Sequence, residues 1–280
     1  FNEREKIYDI CDYISGQRYH PDWTRVGGAM QDLPDEETFK AMVKNFIRGT
    51  LATALARFVD GNLREPPAPW GGNDTLRRLA AMEALARHDA LRPDMLESLT
   101  IEPELWPTDA VLDLWSVAAH TPALANAADL RAAAERVVRS RLRTQGTLVD
   151  LGADSAAPGG FLRCADGNTL RLVGLLAATG AWPEDLPLLA RGALQRQRAG
   201  RWDCTTSNAW GVVAIEGFAA AREREAVRGT TTVVLGTEQE AIVWPAGATP
   251  APAPVTLPWA PGAATLGLAH TGSGAPWATV

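Results

Sequence analysis

The fold is decided by Gly200–Ala221, GRWDCTTSNAWGVVAIEGFAAA, where a polar, tryptophan-bearing turn leads into an amphipathic helix. Its apolar side chains recur at helical spacing and form one stripe over three turns: Trp210, Val213, Ala214, Gly217, Phe218 and Ala221. We expect Ser207 or Thr206 to cap the helix, because a side-chain oxygen there accepts a first-turn amide proton. By itself the stretch predicts a buried helix with an ordinary cap.

Similar periodicity extends upstream through residues 74–200. Seven helices are predicted, separated by short turns marked by proline or glycine: 74–88, 92–99, 107–119, 126–143, 167–179, 186–197 and 205–222. Two further helices are predicted nearer the start, over Glu3–Ser15 and from Pro34 to Arg57. The glycine- and proline-rich loop Gly146–Asp166 is expected to be the flexible part. The pattern predicts a mainly α fold, an α-hairpin array or α/α-toroid.

After Glu225 the pattern changes to a period of two. Short β-strands are predicted at 230–235, 241–244, 255–257 and 265–270. The sequence therefore divides into a short N-terminal helical segment at 1–50, a helical domain at 60–225 and a partial β-domain at 226–280.

Composition excludes several classes of protein. The net charge is −6 and the 27 basic residues form no sustained block, which argues against a nucleic-acid partner. No apolar run of 18 residues occurs, so no membrane span is expected. The chain opens with Phe1 rather than an initiator methionine or a signal peptide, which is typical of a fragment. Nothing in the composition predicts an oligomeric state.

Cysteine and histidine give no metal site. Cys11, Cys164 and Cys204 are widely spaced, so one disulfide with one free thiol is possible, although three isolated structural cysteines are the favoured interpretation. The four histidines are scattered without ligand spacing: His20, His88, His120 and His270. No metal or cofactor is therefore expected.

The search for catalytic motifs leaves one weak candidate. Asp109 and Asp113 share a helix face, and Glu102 and Glu104 precede them. Paired carboxylates serve as acid and base in an α/α-barrel glycosidase, but Asp109 fits a solvated first helical turn equally well. Five tryptophans would line a sugar groove or, as is more common, pack between helices: Trp106, Trp115, Trp182, Trp202 and Trp210.

Two motifs carry a family resemblance. Gly200, Trp202, Thr205, Asn208, Ala209 and Trp210 match a Gly-x-Trp-x-x-Thr-x-x-Asn-Ala-Trp pattern. Ile101–Thr108 matches Ile-Glu-Pro-x-Leu-Trp-Pro-Thr, and Leu268–Val280 is similar to a following strand. Together they resemble bacterial α2-macroglobulin-like proteins over about residues 56–280. The resemblance implies a helical toroid, a role in endopeptidase inhibition by protease trapping, and a periplasmic or cell-envelope location.

The resemblance also implies what this chain lacks. The covalent trap of that family needs a Cys-x-Glu-Gln thioester motif, and no cysteine here has that context. Cys204 stands where a small or hydroxyl residue would serve, so we interpret it as a structural substitution. Residues 150–166 differ from the family, in which we expect aromatic residues at these positions. We therefore predict a non-catalytic fragment, with peptidases as the partners of its parent protein.

The first 48 residues resemble another family. Arg4-Glu-Lys, Ser15-Gly-x-Arg-x-His20, Arg25-x-Gly-Gly28 and Asp32-Leu-Pro34 match a segment of the quinone-side hydrophilic D subunit of NADH-quinone oxidoreductase, respiratory complex I. The resemblance implies that His20 and Arg25 derive from positions near an iron–sulfur cluster, on the cytoplasmic face of the membrane. The segment is too short to bind a quinone or hold a cluster alone. A fragment of this redox complex, concerned with quinone binding and electron transfer, is the alternative hypothesis for function.

The two resemblances meet at residues 48–57 without a linker. Asn45–Val59 is predicted to continue as nearly unbroken helix despite Gly49. We therefore hypothesise a chimera of two unrelated genes. Limited proteolysis between residues 44 and 72 is the expected test.

Overall fold

The computed structural model describes residues 2–15, 24–25, 28–29, 35–61, 74–146, 148–151, 165–223, 225–244, 255–258, 262, 264–274 and 276. Within these ranges the protein is mainly α-helical with small antiparallel sheets. The predicted fold class is confirmed. Across the described helices, none has the length and hydropathy needed to cross a bilayer.

The chain begins with α1, Asn2–Ser15, and a two-residue strand pair, β1, Thr24–Arg25, with β2, Gly28–Ala29. One helical run then spans α2, Glu36–Asn45, a π-helical segment, Phe46–Leu51, and α3, Ala52–Val59. The predicted continuity through Gly49 is confirmed. Helix α2 begins after the expected proline because Asp35 is the cap, and its carboxylate accepts from Thr38 N–H at 2.9 Å.

The helical array follows. Its helices are α4, Asp74–Arg87, α5, Pro93–Glu97, α6, Thr108–His120, α7, Ala127–Ser140, α8, Ala165–Thr179, α9, Asp185–Gln195 and α10, Thr205–Arg222. Their bounds lie within a few residues of the predicted ones. We call α4, α6, α8 and α10 the inner layer. Each packs on the next, and α3, α7 and α9 pack on α4, α6 and α8 respectively.

Helix α6 is the centre of the core because ten of its 13 residues are buried. Its apolar side chains meet those of the flanking helices, among them the buried Leu79, Val138 and Leu172. Helix α3 joins the same core through the buried Val59. Arg78 fastens the end of α3, since its guanidinium donates to the Val59 carbonyl at 2.7 Å. The helical run therefore begins in the N-terminal segment and ends in the core of the array.

A β-hairpin interrupts the helices where we predicted the end of one helix and a loop. Strands β3, Leu142–Gln145, and β4, Leu148–Leu151, pair in antiparallel register across Gly146. Val149 and Leu151 are buried, and a Cβ at Gly192 of α9 would overlap the Val149 carbonyl. Burial alternates along Leu148–Leu151, but the residue types Leu-Val-Asp-Leu do not, so the sequence carries little sign of the strand. The rest of the predicted flexible loop, 152–164, lies outside the described residues.

The C-terminal sheet has the strand order β6-β5-β7, built from β5, Arg228–Leu235, β6, Glu238–Trp244, and β7, Leu266–Ser273. Both pairings are antiparallel. Residues 255–258 are not in a strand, so the strand predicted at 255–257 was wrong. Thr231 joins all three strands: Trp244 Nε1 donates to its hydroxyl at 2.8 Å, and His270 Nδ1 lies 2.9 Å from the same oxygen.

Candidate functional site

The residues singled out near an iron–sulfur cluster cannot be assembled into a site. His20 lies outside the described residues. Arg25 is in β1, opposite Gly28 of β2, and its side chain is not described. Within the described ranges, no group of three or more histidine, cysteine, aspartate or glutamate side chains could hold a metal ion.

The carboxylate pair on α6 has a different environment from the one a glycosidase needs. Asp113 is buried, and its Oδ1 accepts a hydrogen bond from Arg171 Nη2 of α8. Arg171 Nη1 also donates to the Asp109 backbone carbonyl at 3.3 Å. The Asp113 carboxylate is thus occupied by a guanidinium, while Glu102 and Glu104 are exposed. The geometry does not favour acid–base attack on a sugar.

A second charged pair lies on α4. Glu83 is buried and accepts from Arg87 Nε, one helical turn later on α4. Ser116 of α6 donates its hydroxyl to the same Glu83 oxygen at 2.8 Å. Since Glu83 has two donors, the carboxylate is satisfied inside the core, and it joins α4 to α6.

Trp210 of α10 connects the two charged pairs. The guanidinium carbon of Arg87 lies 4.6 Å from the centre of its ring system, and that of Arg171 lies 5.2 Å away. Both separations are within the range of a cation–π contact. We call Glu83, Arg87, Asp113, Arg171 and Trp210 the charged cluster. It joins all four helices of the inner layer.

Burial changes the proton affinities in the charged cluster. Burial, helped by the nearby Glu83 carboxylate, raises the pKa of Asp113 to about 6, against the lowering effect of Arg171. Burial lowers the pKa of Arg171, but the Asp113 and Glu83 carboxylates outweigh this and raise it above its ordinary value. The guanidinium is therefore a permanent cation beside a carboxylate that titrates in mildly acidic solution.

A cavity of about 320 Å³ opens beside the cluster. Its charged or polar lining consists of Arg87, His120 and Arg171. Trp210 and Val213 contribute one apolar side, and small residues of α8 and α10 form the rest with one leucine: Gly174, Leu175, Ala177, Ala178, Gly217, Ala220 and Ala221. The predicted apolar stripe of α10 is thus divided. Ala214 and Phe218 are buried in the core, whereas Val213 faces the cavity and is 52% exposed.

Four of the five tryptophans pack inside the array, as the more common interpretation predicted. Trp106, Trp115, Trp182 and Trp202 are buried, and the rings of Trp115 and Trp182 meet at 5.0 Å between centres. They form no groove. Trp210 is the exception, since it is half-buried and lines the cavity.

The turn before α10 is organised by Trp202. Its indole Nε1 donates to the Ala193 carbonyl at 2.8 Å, and its ring lies where a Cβ at Gly211 would overlap it. The Asn208 side chain binds both ends of the Trp202 backbone, accepting from its N–H at 3.2 Å and donating to its carbonyl at 3.3 Å. The Gly-x-Trp-x-x-Thr-x-x-Asn-Ala-Trp motif thus forms one folded unit between α9 and α10.

Cys204 corrects two expectations. It is the N-cap of α10, its sulfur accepting from Ser207 N–H at 3.4 Å, so neither Ser207 nor Thr206 is the cap. It is also disulfide-bonded, whereas Cys11 is free. One disulfide with one free thiol is therefore the correct alternative, and Cys204 does more than replace a small residue. Cys164 lies outside the described residues.

The Ile-Glu-Pro-x-Leu-Trp-Pro-Thr motif forms a second folded unit. Pro103–Leu105 is a single 3-10 turn, and Trp106 and Thr108 are buried after it. Arg141, at the end of α7, donates to the Trp106 carbonyl at 2.7 Å and to the Thr108 hydroxyl at 3.0 Å. The motif therefore fixes how α7 packs on the start of α6.

Sequence reasoning missed the cationic side of the cavity. Arg87 and His120 each follow a polar partner by four residues, Glu83 and Ser116, on helices whose remaining inward positions are mostly apolar. That spacing on a buried face was the available signal. Arg171 had none, because its partner Asp113 is 58 residues away in sequence.

Comparison with known proteins gives two sets of similarities. Residues 1–59 match the family of the respiratory-chain NADH dehydrogenase 49 kDa subunit. The NADH-quinone oxidoreductase C/D subunit of Buchnera aphidicola subsp. Baizongia pistaciae is 45% identical over 47 residues, which is 17% of this chain and 8% of that protein. The C/D subunit of Blochmanniella pennsylvanica is 53% identical over 34 residues, 12% of this chain and 6% of that protein. The resemblance of the first segment to this family is confirmed, and it extends to the end of α3.

Solved structures of Escherichia coli α2-macroglobulin are similar to this chain. The form activated by porcine elastase has a TM-score of 0.46 and 14% identity, covering 84% of this chain and 21% of that one. The native form, solved by cryo-EM, has a TM-score of 0.41 and 18% identity, covering 78% of this chain and 14% of that one. This chain thus spans 21% and 14% of the lengths of these two structural neighbours, and less than a tenth of the length of its curated relatives.

Proposed function

We propose that residues 60–225 are the helical domain of a bacterial α2-macroglobulin-like protease-trapping protein, followed by part of a β-domain at 226–280. The observation that carries the proposal is the folded unit around Trp202. Within that motif Trp202 donates to the Ala193 carbonyl, Asn208 binds the Trp202 backbone, and Trp210 contacts two arginines, which supports the resemblance.

The proposed role is non-catalytic. Each carboxylate of the charged cluster is bound by an arginine, and the thioester motif of the covalent trap does not occur in the sequence. In the parent protein the domain would move when a peptidase cleaves a bait segment elsewhere, and the molecule would close around that peptidase. Peptidases are thus the proposed partners of the parent.

The charged cluster suits a domain that moves as one body. Four helices are joined by the Arg171–Asp113 ion pair, the Ser116–Glu83 hydrogen bond and the cation–π contacts of Trp210. Breaking a buried ion pair typically costs about 3–5 kcal/mol. Relative motion would therefore concentrate at the borders of the array instead of within it.

A transplantation experiment tests the proposal. Residues 60–225 would replace the corresponding helical domain of E. coli α2-macroglobulin, and the hybrid would be incubated with porcine elastase. If the hybrid encloses elastase, cleavage of casein, a large substrate, should fall, because casein cannot reach the enclosed enzyme. Cleavage of a small anilide substrate should continue. A hybrid that folds and is cut by elastase, yet leaves casein cleavage unchanged, would contradict the proposal. The unmodified macroglobulin is the control.

The location that accompanies this function is the periplasm or cell envelope. The disulfide at Cys204 supports it, because stable disulfides form in oxidising compartments.

The net charge of −6 and the absence of a basic block in the sequence support a role without nucleic acid.

The alternative function rests on the match of residues 1–59 to the 49 kDa subunit family. On this hypothesis the segment comes from a redox complex and is located at the cytoplasmic face of the membrane, with His20 and Arg25 near a cluster. Co-expression with the other subunits of that complex would then give a co-purifying iron–sulfur absorbance. Purification without that absorbance would count against it.

We propose that the chain is a chimera whose border lies between residue 48, where the resemblance of the first segment ends, and residue 59, where the match to the 49 kDa subunit family ends. Helix α1 contacts α2 and the π-helical segment, whereas α3 packs on α4. Because Val59 is buried in the core of the array, proteolysis should not release residues 1–50 by a cut within 52–59. Recovery of the whole junction in one transcript from the source would contradict the chimera.

A further inference from the structure

The cavity beside the charged cluster has a lining of one charge sign. Arg87 and Arg171 line it, and the described lining includes no carboxylate. The carboxylates that balance these cations, Glu83 and Asp113, are buried and bound to the two guanidiniums. The two guanidiniums are therefore the charged groups that line the cavity, while their counter-charges are buried behind them.

Arg87 is held in place by two contacts. Its Nε donates to Glu83, and its guanidinium carbon lies 4.6 Å from the centre of the Trp210 ring system. Its two terminal nitrogens have no hydrogen-bond partner among the described residues. A guanidinium fixed in this way presents its remaining donors with little loss of side-chain entropy, and two such donors match a carboxylate.

His120 offers a hydrogen-bond acceptor, whereas Arg87 offers donors. Its Nδ1 lies 2.8 Å from the Ser116 carbonyl, and a carbonyl only accepts, so Nδ1 carries the proton. In the neutral ring, Nε2 is then an acceptor, and it has no partner among the described residues. The lining thus combines a double donor with a single acceptor for an N–H group.

The rest of the cavity lining is apolar and consists mostly of small residues. A Cβ at Gly217 would lie 3.7 Å from the Ala177 Cβ, so α8 and α10 approach closely and leave a smooth floor. Val213, 52% exposed, stands beside it. At about 320 Å³ the cavity is at the lower end for ligand sites, which suits one or two small residues.

We propose that this cavity binds the free C-terminal residue of a peptide that ends in small apolar side chains. Arg87 takes the carboxylate, His120 Nε2 accepts the last amide N–H, and the alanine and glycine floor contacts the terminal methyl group. A C-terminal residue carries this combination of carboxylate, neighbouring N–H and small apolar group. The proposal is independent of the macroglobulin role.

The test uses the whole chain and two matched probes, N-acetyl-Ala-Ala and its C-terminal amide. Binding is followed by two-dimensional NMR of the indole N–H signals, with Trp210 assigned through Trp210→Phe. The acid should shift the Trp210 signal saturably, and the amide should bind at least about tenfold more weakly, since a charge-assisted hydrogen bond is lost. Equal binding of acid and amide, or binding of neither, would overturn the proposal.

Variants and a second anion locate the site. Arg87→Gln should weaken binding of the acid about tenfold or more, whereas Arg77→Gln, on the same helix but outside the cavity lining, should leave it unchanged. Inorganic phosphate that competes as strongly as the peptide would show a general anion site and overturn the assignment. If Arg87→Gln does not fold, the difference in affinity between the acid and the amide for the unmodified chain still tests whether the cavity recognises a carboxylate.

Discussion

The indole of Trp202 packs against the backbone of Gly211 so closely that a Cβ at Gly211 would overlap the ring. The contact joins the turn after α9 to the second turn of α10. It also explains why a helix interior carries a glycine, which ordinarily costs about 1 kcal/mol relative to alanine.

Gly211→Ala should therefore destabilise the protein despite the better helix propensity of alanine. We expect a net loss of about 1–2 kcal/mol in the free energy of unfolding, because overpacking costs about 1–3 kcal/mol. Urea denaturation measures it. Gly217→Ala on the same helix is the matched control, since its Cβ would make an ordinary contact at 3.7 Å with Ala177. A stabilised Gly211→Ala protein would contradict the packing argument.

Asp113→Asn should change how stability depends on pH. The folded pKa of Asp113 is raised from 3.8 to about 6, so the folded state binds this proton more tightly than the unfolded state. The resulting stabilisation is fully present below pH 3.8 and is lost as the pH rises through 6. Across that interval the unmodified protein should lose on the order of 2–3 kcal/mol relative to Asp113→Asn.

Urea denaturation at several pH values between about 4 and 7 measures this difference. The exposed Glu104→Gln is the control and should follow the unmodified protein. Parallel profiles for Asp113→Asn and the unmodified protein would show that Arg171 keeps Asp113 ionised throughout.

Cys204 has two separable roles, as a cap and in a disulfide. Cys204→Ser keeps a capping oxygen and removes the cross-link, so it should cost about 2–4 kcal/mol under oxidising conditions and little after reduction. Cys204→Ala should lose about 1 kcal/mol more in both conditions, because the Ser207 N–H loses its acceptor.

Peptide mapping without reductant identifies the partner of Cys204. The sequence has three cysteines and Cys11 is free, so we expect a linked peptide containing Cys164. A Cys204 peptide linked to a second copy of the chain would refute an intramolecular bond.

Arg141→Met should loosen the packing of α7 on α6. The substitution leaves the Trp106 carbonyl without the donor it has at 2.7 Å, and it removes the bond to Thr108. We expect a loss of about 1.5–3 kcal/mol in unfolding free energy, measured by urea denaturation. Arg136→Met, on the same helix, should stay within about 0.5 kcal/mol, and an equal effect of both would contradict the role of the two bonds.

Local sequence signals were sufficient for most of the helices. The periodicity of α4, α7 and α10 and the turns that flank them predicted bounds within a few residues, because each of these helices buries a stripe that recurs at the helical period. The hairpin of β3 and β4 was missed, since four-residue strands beside Gly146 give little periodic signal.

The candidate site was much less predictable. Asp113 was singled out for its spacing from Asp109, yet its partner Arg171 lies on another helix. The cap of α10 was assigned to a hydroxyl, whereas the sulfur of Cys204 holds that position. Both errors concern contacts whose partners are chosen by packing rather than by neighbouring residues.

The sequence by itself determined the mainly α fold class, the helix bounds, the period-two region after Glu225 and the two family resemblances. These depend on residue order over one or a few turns. Only the tertiary structure decided that Arg87, Trp210 and Arg171 stack beside one cavity, with Glu83 and Asp113 buried behind them. The physical reason is that charge pairing and burial depend on which helices pack together. The sequence near a residue does not specify a partner that lies far away along the chain.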